Sequence, residues 1–232
     1  MITYYKMYSR LGNIILSIAT VFYYCKKHNI NYNNICFNSD MLSEYCYKYL
    51  DNILENVKKY FVDKDKWIEL TKGNLDMYYY DNIEKHTNVN FSSWNWLNPN
   101  NDIFVGELFY NKKLFENVVK KLPNKYLDYK DRIAIHVRRT DYLKVFSSRV
   151  FKPEEIQNIL SNKDNKYFIF TDDIDWCKNI SGNYNNTVVI DNDLTDWESM
   201  ILMSYCKDII CNKGSTFSRC ALHFNKYLKS IC

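Results

Sequence analysis

The chain has 232 residues, 47% of them apolar and 25% charged, which is enough apolar material to bury a core as one large domain or two small ones. Thirty-one basic residues against 27 acidic ones leave a net charge of +4. That balance is too mild, and its basic residues too scattered among acids, to indicate a nucleic-acid partner, which calls for a clustered basic face.

In chain order, Ile2 to Tyr8 reads as a strand, Ser9-Arg10-Leu11-Gly12-Asn13 as a turn and Ile14 to His28 as a helix. The apolar stretch from Ile14 to Cys25 spans about 12 residues and carries Ser17 and Thr20, short of the ~20 a membrane helix needs, so no stable membrane insertion is expected. Residues 31 to 95 give a mixed pattern, with a helical stretch from Asp51 to Phe61. Polar, proline-bearing joints follow at Asn98-Pro99-Asn100-Asn101-Asp102 and Pro123-Asn124-Lys125. The second joint precedes the clearest alternation in the chain, which sets a domain boundary near 123–130 and two domains, 1–125 and 126–232. Beyond it come a strand at Arg132 to Val137, a helix at Lys152 to Leu160 with Pro153 in its first turn, a strand at Lys166 to Thr171, a short helix at Asp173 to Asn179 and a strand at Thr187 to Asp191. A helix at Thr195 to Cys206 opens on the capping box Thr195-x-x-Glu198, a strand runs from Asp208 to Asn212, and a last helix opens at Ser215. Short β-branched strands separated by helices predict an α/β fold with a parallel sheet covered on both faces.

Eight cysteines occur without a C-x-x-C pair, and Cys206 and Cys211 have no partner at zinc-finger spacing, so they read as reduced, partly core residues. The opening MITYYKMYSR lacks the apolar core of a secretory signal, and a cytoplasmic setting is the expectation. The sequon Asn90-Phe91-Ser92 carries little weight in that setting.

Three strand ends carry the polar chemistry. Ligands of open α/β sheets bind beyond the carboxyl ends of the strands. At the first end stand His136, Arg138 and Arg139, where a guanidinium can grip a diphosphate bidentately, or Arg138 can form a structural ion pair with Asp141. At the second, Asp172 and Asp173 precede Trp176; one carboxylate can accept from the donor edge of guanine, the other can cap the following helix. At the third, Lys213-Gly214-Ser215-Thr216-Phe217-Ser218 forms a strand-to-helix turn that suits a phosphate at a helix N-terminus or plain N-capping by Ser215 or Thr216. Together they describe a nucleotide-diphosphate site. The string Asp191-Asn192-Asp193 could hold a divalent cation, but its place between a strand and a capped helix favours a loop or cap role, and no metal is expected.

The strings His136-Val137-Arg138-Arg139-Thr140-Asp141-Tyr142 and Phe170 to Lys178, with the tract Glu198 to Asn212 ending in Ser215-Thr216-Phe217-Ser218, resemble the motifs of the alpha-1,2-fucosyltransferase family, glycosyltransferase family 11. The first string and Thr216-Phe217-Ser218 are also similar to core alpha-1,6-fucosyltransferases. Arg10-Leu11-Gly12-Asn13 resembles the Gly-x-Gly-Asn-Gln loop of the superfamily, and Gly106-Glu107-Leu108-Phe109 to Phe115 more loosely its Gly-Tyr-x-Gln segment. The resemblance is specific between 133 and 218. It departs from the pattern at Arg10, at Ile14, at Arg219-Cys220 and in the shortness of the N-terminal half.

The resemblance implies a GT-B-like fold, two Rossmann-like domains with parallel sheets facing a cleft. It implies inverting, metal-independent transfer of fucose from GDP-fucose, which is a donor substrate rather than a cofactor, to a hydroxyl of a glycan acceptor in alpha-1,2 linkage. Arg138 would then neutralise the β-phosphate and His136 and Arg139 support the nucleotide. Asp172 or Asp173 would contact guanine, Ser215, Thr216, Phe217 and Ser218 line the phosphates, and Asn13 reach them from the other domain. The general base stays open between Asp141 and Glu107. Also open are another GDP-sugar donor such as GDP-mannose or GDP-rhamnose, a degenerate protein that only binds glycan or nucleotide, and a homo-oligomer.

Overall fold

The computed structural model describes residues 2–4, 10–39, 42, 48–71, 77–78, 89–91 and 102–231. The chain divides into two compact units, residues 1–114 and 115–232, so the division falls within helix Lys112–Lys120 rather than at the Pro123 joint. Phe115 explains the placement: its ring packs edge-on against Phe224 at 5.3 Å and Tyr205 at 6.2 Å, tying the rest of that helix to the C-terminal unit.

In the N-terminal unit, helix Leu11–Lys27 is buried along almost its whole first four turns. It starts earlier than the sequence suggests. Arg10 is its extended N-cap residue and Leu11, Gly12 and Asn13 form its first turn, because Asn13 and Ile14 both return their N–H groups to the Arg10 carbonyl. Helix Asp102–Phe109 packs beside it, with Phe104 edge-on to Tyr23 at 5.8 Å. Strands β1 (Ile2–Tyr4), β4 (Met77–Tyr78) and β5 (Val89–Phe91) form a parallel sheet in the order β1-β5-β4, and β2 (Phe37–Asn38) and β3 (Phe61–Val62) form a parallel pair. The predicted strand beyond Tyr4 and most of the Pro99 joint lie outside the described residues.

The helix expected over Asp51 to Phe61 is replaced by turns, a 3₁₀ helix Glu55–Tyr60 and the start of β3. Its apolar spacing is helical and does bury Ile53, Leu54 and Val57. The Asn52 side chain bonds the Lys48 carbonyl, a local alternative to helical pairing, while Phe61 is drawn into register with Phe37.

The C-terminal unit matches the predicted alternation closely. Its parallel sheet has the order β8-β7-β6-β9, from β6 (Arg132–Val137), β7 (Lys166–Thr171), β8 (Thr187–Val189) and β9 (Asp208–Ile210). Alternation along the strands sends Ile135, Val137, Tyr167 and Ile169 into one core with Ile156 and Leu160 of helix Pro153–Leu160 and Cys177 of helix Ile174–Ser181. Ala134, His136 and Phe168 face the other way, where Tyr126 meets Phe168 and Phe217 meets His136. On that side helices Asp196–Tyr205 and Thr216–Ile231 pack together. Thr195 and Glu198 form the predicted capping box.

The chain moves outward from β6 to β7 to β8 and then returns to place β9 on the far side of β6. The sheet therefore reverses its direction of winding between β6 and β9. In open α/β sheets a reversal of this kind is where connections leave toward opposite faces and ligands bind beyond the strand ends.

Asn225 secures this half. Its buried Nδ2 donates to the Ser204 and Cys206 carbonyls, both at 2.8 Å, where helix Asp196–Tyr205 ends. Replacing it with alanine leaves two interior carbonyls unmet, and urea unfolding of Asn225→Ala is expected to show a loss of about 2 kcal/mol with an unchanged slope. An unshifted midpoint would contradict that role.

Candidate functional site

Strand register brings the predicted residues together. Val137 pairs with Thr171, so the residues that follow, Arg138 to Thr140 and Asp172, meet just past the sheet. On the other side Ile135 pairs with Ile210, which brings Asn212 level with the end of β6.

Asp172 organises the β6 loop. It accepts from the Arg139 N–H at 2.8 Å, the Thr140 N–H at 3.4 Å and the Thr140 hydroxyl at 2.5 Å, and it pairs with Arg138 Nη1 at 3.2 Å. These contacts fill its lone-pair sites, so Asp172 is a loop clamp in this structure and has little capacity left for a base edge. Asp173 takes the capping alternative. It accepts from the Trp176 N–H and from Arg139 Nε at 3.1 Å.

The two arginines are both engaged. Arg138 meets Asp141 in a fork, Nε at 2.8 Å and Nη2 at 2.9 Å, so the ion pair that the sequence left open is formed. Asp172 adds an ion pair at Nη1, but among the described residues the hydrogen bonds of the guanidinium go to Asp141 alone, which leaves the Nη1 side open to a ligand. Burial acts to raise the Asp141 pKa, but the Arg138 guanidinium outweighs it and holds the carboxyl below its usual range, which makes Asp141 a weak base. Arg139 stacks its guanidinium 3.6 Å from the Trp176 ring centroid and pairs with Asp173, a packed role at the rim.

His136 is 6% exposed and lies against the Phe217 ring at 5.3 Å. Burial pushes its pKa down to about 4, opposed by Asp172, so at neutral pH the imidazole is uncharged and brings no positive charge to these loops. Its Nδ1 and the Oγ of buried Ser218 have no hydrogen-bond partner among the described residues.

Asn212 is a residue that the predicted set missed. It is 1% exposed, accepts from the Arg138 N–H at 3.0 Å and donates to the Arg149 carbonyl at 3.1 Å, joining the β6 and β9 loops. Its position two residues past β9 is the signal that could have singled it out.

After it the chain turns at Gly214, whose φ of 76° suits glycine, into helix Thr216–Ile231. Ser215 is buried and accepts the Arg219 N–H on its carbonyl, which makes it the cap residue. The N–H groups of Phe217 and Ser218 therefore lie in the first turn, where no intrahelical carbonyl can meet them. A helix N-terminus beside partly free guanidinium donors favours an anion.

Two predicted residues and one string lie outside these loops. Asn13, half-buried, and Glu107, exposed, belong to the N-terminal unit. The Asp191-Asn192-Asp193 string is held by ammonium groups: Lys125 lies 2.9 Å from Asp191 and 2.6 Å from Asp193, and Lys178 lies 3.0 Å from Asp191. Among the described residues no group of His, Cys, Asp and Glu could hold a metal ion, and no helix is long and apolar enough to cross a membrane. Burial pushes the Cys36 and Cys177 thiols up to about 11, which keeps them protonated and unreactive.

Comparison with known proteins identifies the family and the fold. A family model described as Glycosyl transferase family 11 matches residues 48–228. No curated protein matches the chain. Among solved structures, fucosyltransferase NodZ from Bradyrhizobium superposes with a TM-score of 0.58 at 13% identity, covering 94% of this chain and 91% of that one. The NodZ alpha-1,6-fucosyltransferase co-crystallised with GDP gives 0.56 at 12% identity, covering 94% and 90%. POFUT1 in complex with GDP gives 0.57 at 12% identity, covering 93% and 91%. At such identities the likeness is one of fold, an α/β architecture of the GT-B kind with parallel sheets. The family match covers most of the chain and includes all three polar strand ends, and the chain belongs to glycosyl transferase family 11.

Proposed function

We propose that the protein is a fucosyltransferase that takes fucose from GDP-fucose and delivers it, with inversion and without a metal, to a hydroxyl of a glycan acceptor. One observation carries the reading: the loop after β6 and the first turn of helix Thr216–Ile231 meet at the point where the sheet reverses its winding. That point offers Arg138 donors and helix N–H groups to one anion, as a nucleoside diphosphate requires. Family membership and the like-folded structures of NodZ and POFUT1, which were solved with GDP or soaked with GDP-fucose, support the choice of donor.

In this reading the acceptor oxygen attacks the anomeric carbon as GDP leaves, through an oxocarbenium-like state. Negative charge grows on the β-phosphate. Arg138, fixed in orientation by its fork with Asp141, and the N–H groups of Phe217 and Ser218 meet that charge without reorganising. Asp141 serves to orient Arg138; its lowered pKa argues against the role of general base, and Glu107 is the remaining candidate. Guanine recognition falls on the edge near Asp173 and Trp176, with Asp172 acting through the loop that it holds. Metal independence is supported by the lysine pairing of Asp191 and Asp193, which puts ammonium groups where a cation would have to bind.

The alpha-1,2 linkage rests on the family resemblance, whereas the like-folded NodZ is an alpha-1,6-fucosyltransferase. Mass spectrometry and linkage analysis of products formed from GDP-fucose and a panel of glycan acceptors test donor, reaction and linkage together. A fucosylated product with alpha-1,2 linkage is expected; sugar transfer from GDP-mannose alone would overturn the donor assignment. Arg138→Lys keeps a charge beside Asp141 but loses the fork. Its kcat is expected to fall about 100-fold, near 3 kcal/mol, with a smaller change in KM, and near-normal turnover would remove Arg138 from the reaction. Activity should persist in EDTA; loss that Mn²⁺ restores would reinstate a metal-dependent reading.

A further inference from the structure

The charge around Arg138 does not by itself favour a diphosphate. Two guanidiniums, Arg138 and Arg139, face three carboxylates, Asp141, Asp172 and Asp173. His136 is neutral and adds nothing. The set carries more negative than positive charge, and a diphosphate brought against it meets repulsion in a partly desolvated site. Tight binding calls for a cation that no carboxylate of the protein has already balanced.

Arg149 fits that description. It sits at the end of the short 3₁₀ helix Ser147–Arg149, is exposed, and has no carboxylate partner among the described residues. Its position is nonetheless fixed. The guanidinium stacks on the Phe146 ring, 4.5 Å from the centroid. It meets the Tyr142 hydroxyl, which in turn donates to the Gly214 carbonyl at 3.2 Å. Its own carbonyl accepts from Asn212 Nδ2, the same amide that holds the Arg138 N–H on its other side. The side chain presses so closely on the turn before helix Thr216–Ile231 that a methyl group on Gly214 would stand 2.8 Å from Nη1 and 3.2 Å from Cζ. Gly214 thus has a second reason to be glycine besides its positive φ.

We propose that Arg149 is the residue that supplies the uncompensated charge for the diphosphate, gripping it across the Gly214 turn while Arg138 is the oriented donor beneath. The inference rests on the GDP-dependent reading above and adds to it the residue on which phosphate affinity depends. A guanidinium is suited to the task because its planar fork matches two phosphate oxygens, and the stack on Phe146 limits the freedom lost on binding.

Calorimetric titration of GDP and of guanosine into the unaltered protein and the variants Arg149→Gln, Arg149→Lys and Gly214→Ala tests it. Arg149→Gln is expected to weaken GDP binding about 10- to 100-fold, the range for a lost hydrogen bond to a charged group, and to leave guanosine affinity within about twofold. Its melting temperature should stay near that of the unaltered protein, since Arg149 is exposed and its link to Asn212 runs through the backbone. Arg149→Lys should fall between, because lysine keeps the charge and loses the fork. Gly214→Ala should weaken GDP in the same direction by displacing the guanidinium. Unchanged GDP affinity in Arg149→Gln, or equal losses for GDP and guanosine, would overturn the inference while leaving the GDP reading intact. Failure of the unaltered protein to bind GDP would overturn that reading, and the inference with it.

Discussion

The site depends on how the end of β6 is held from both sides. Asp172, carried one residue past β7, takes the N–H groups of Arg139 and Thr140, and Asn212, two residues past β9, takes the N–H of Arg138. Three successive amides of an irregular loop are thereby bonded to two side chains on two neighbouring strands. Such groups would otherwise be left partly buried and unmet, at a cost of about 1–3 kcal/mol each. The parallel register of β6 with its neighbours is what brings those side chains into reach. A slip of one residue would turn His136 into the opposite core and carry Asp172 away from the loop.

From this clamp the division of labour among the charged residues follows. Arg139 is tied to Asp173 and Trp176 and braces the rim. Arg138 is forked onto Asp141 and ion-paired with Asp172 but keeps N–H donors for a ligand. Asp172, one of the two residues that the resemblance offers to guanine, serves the loop, and Asp141, left open as a general base, serves Arg138. Preorganisation of this kind suits a reaction in which charge appears on a leaving phosphate, because the donors need not move when the charge develops.

Much of the C-terminal unit was legible in the sequence. Its strands are short β-branched or aromatic runs, and Thr195 with Glu198 writes a helix start in four residues. The polar residues directly after β6, β7 and β9 marked the loops that meet at one edge of the sheet. Strand order was not legible, since the return of the chain to place β9 beside β6 is a property of packing, yet it decides which loops meet past the end of β6. Nor were the partners of each aspartate, which depend on register across 30 residues or more of sequence. Only Asp141, three residues from Arg138, could be foreseen as a partner. Arg149 went unnoticed for want of a motif, although its neighbours from Val145 to Pro153 include no acid, a local sign that its charge stays unbalanced. The N-terminal half was harder because side-chain-to-backbone bonds such as that of Asn52 compete with a helical apolar pattern.

The central claim is that a nucleoside diphosphate binds beyond β6 and β9, within the C-terminal unit's own loops. Amide hydrogen exchange of the full chain, with and without GDP, measures this most directly. The account predicts slowed exchange at Arg138 to Tyr142 and at Gly214 to Arg219, with the interior of helix Asp196–Tyr205 unchanged. Protection centred instead on Asp191 to Asp193, or none at either loop at a saturating GDP concentration, would contradict it.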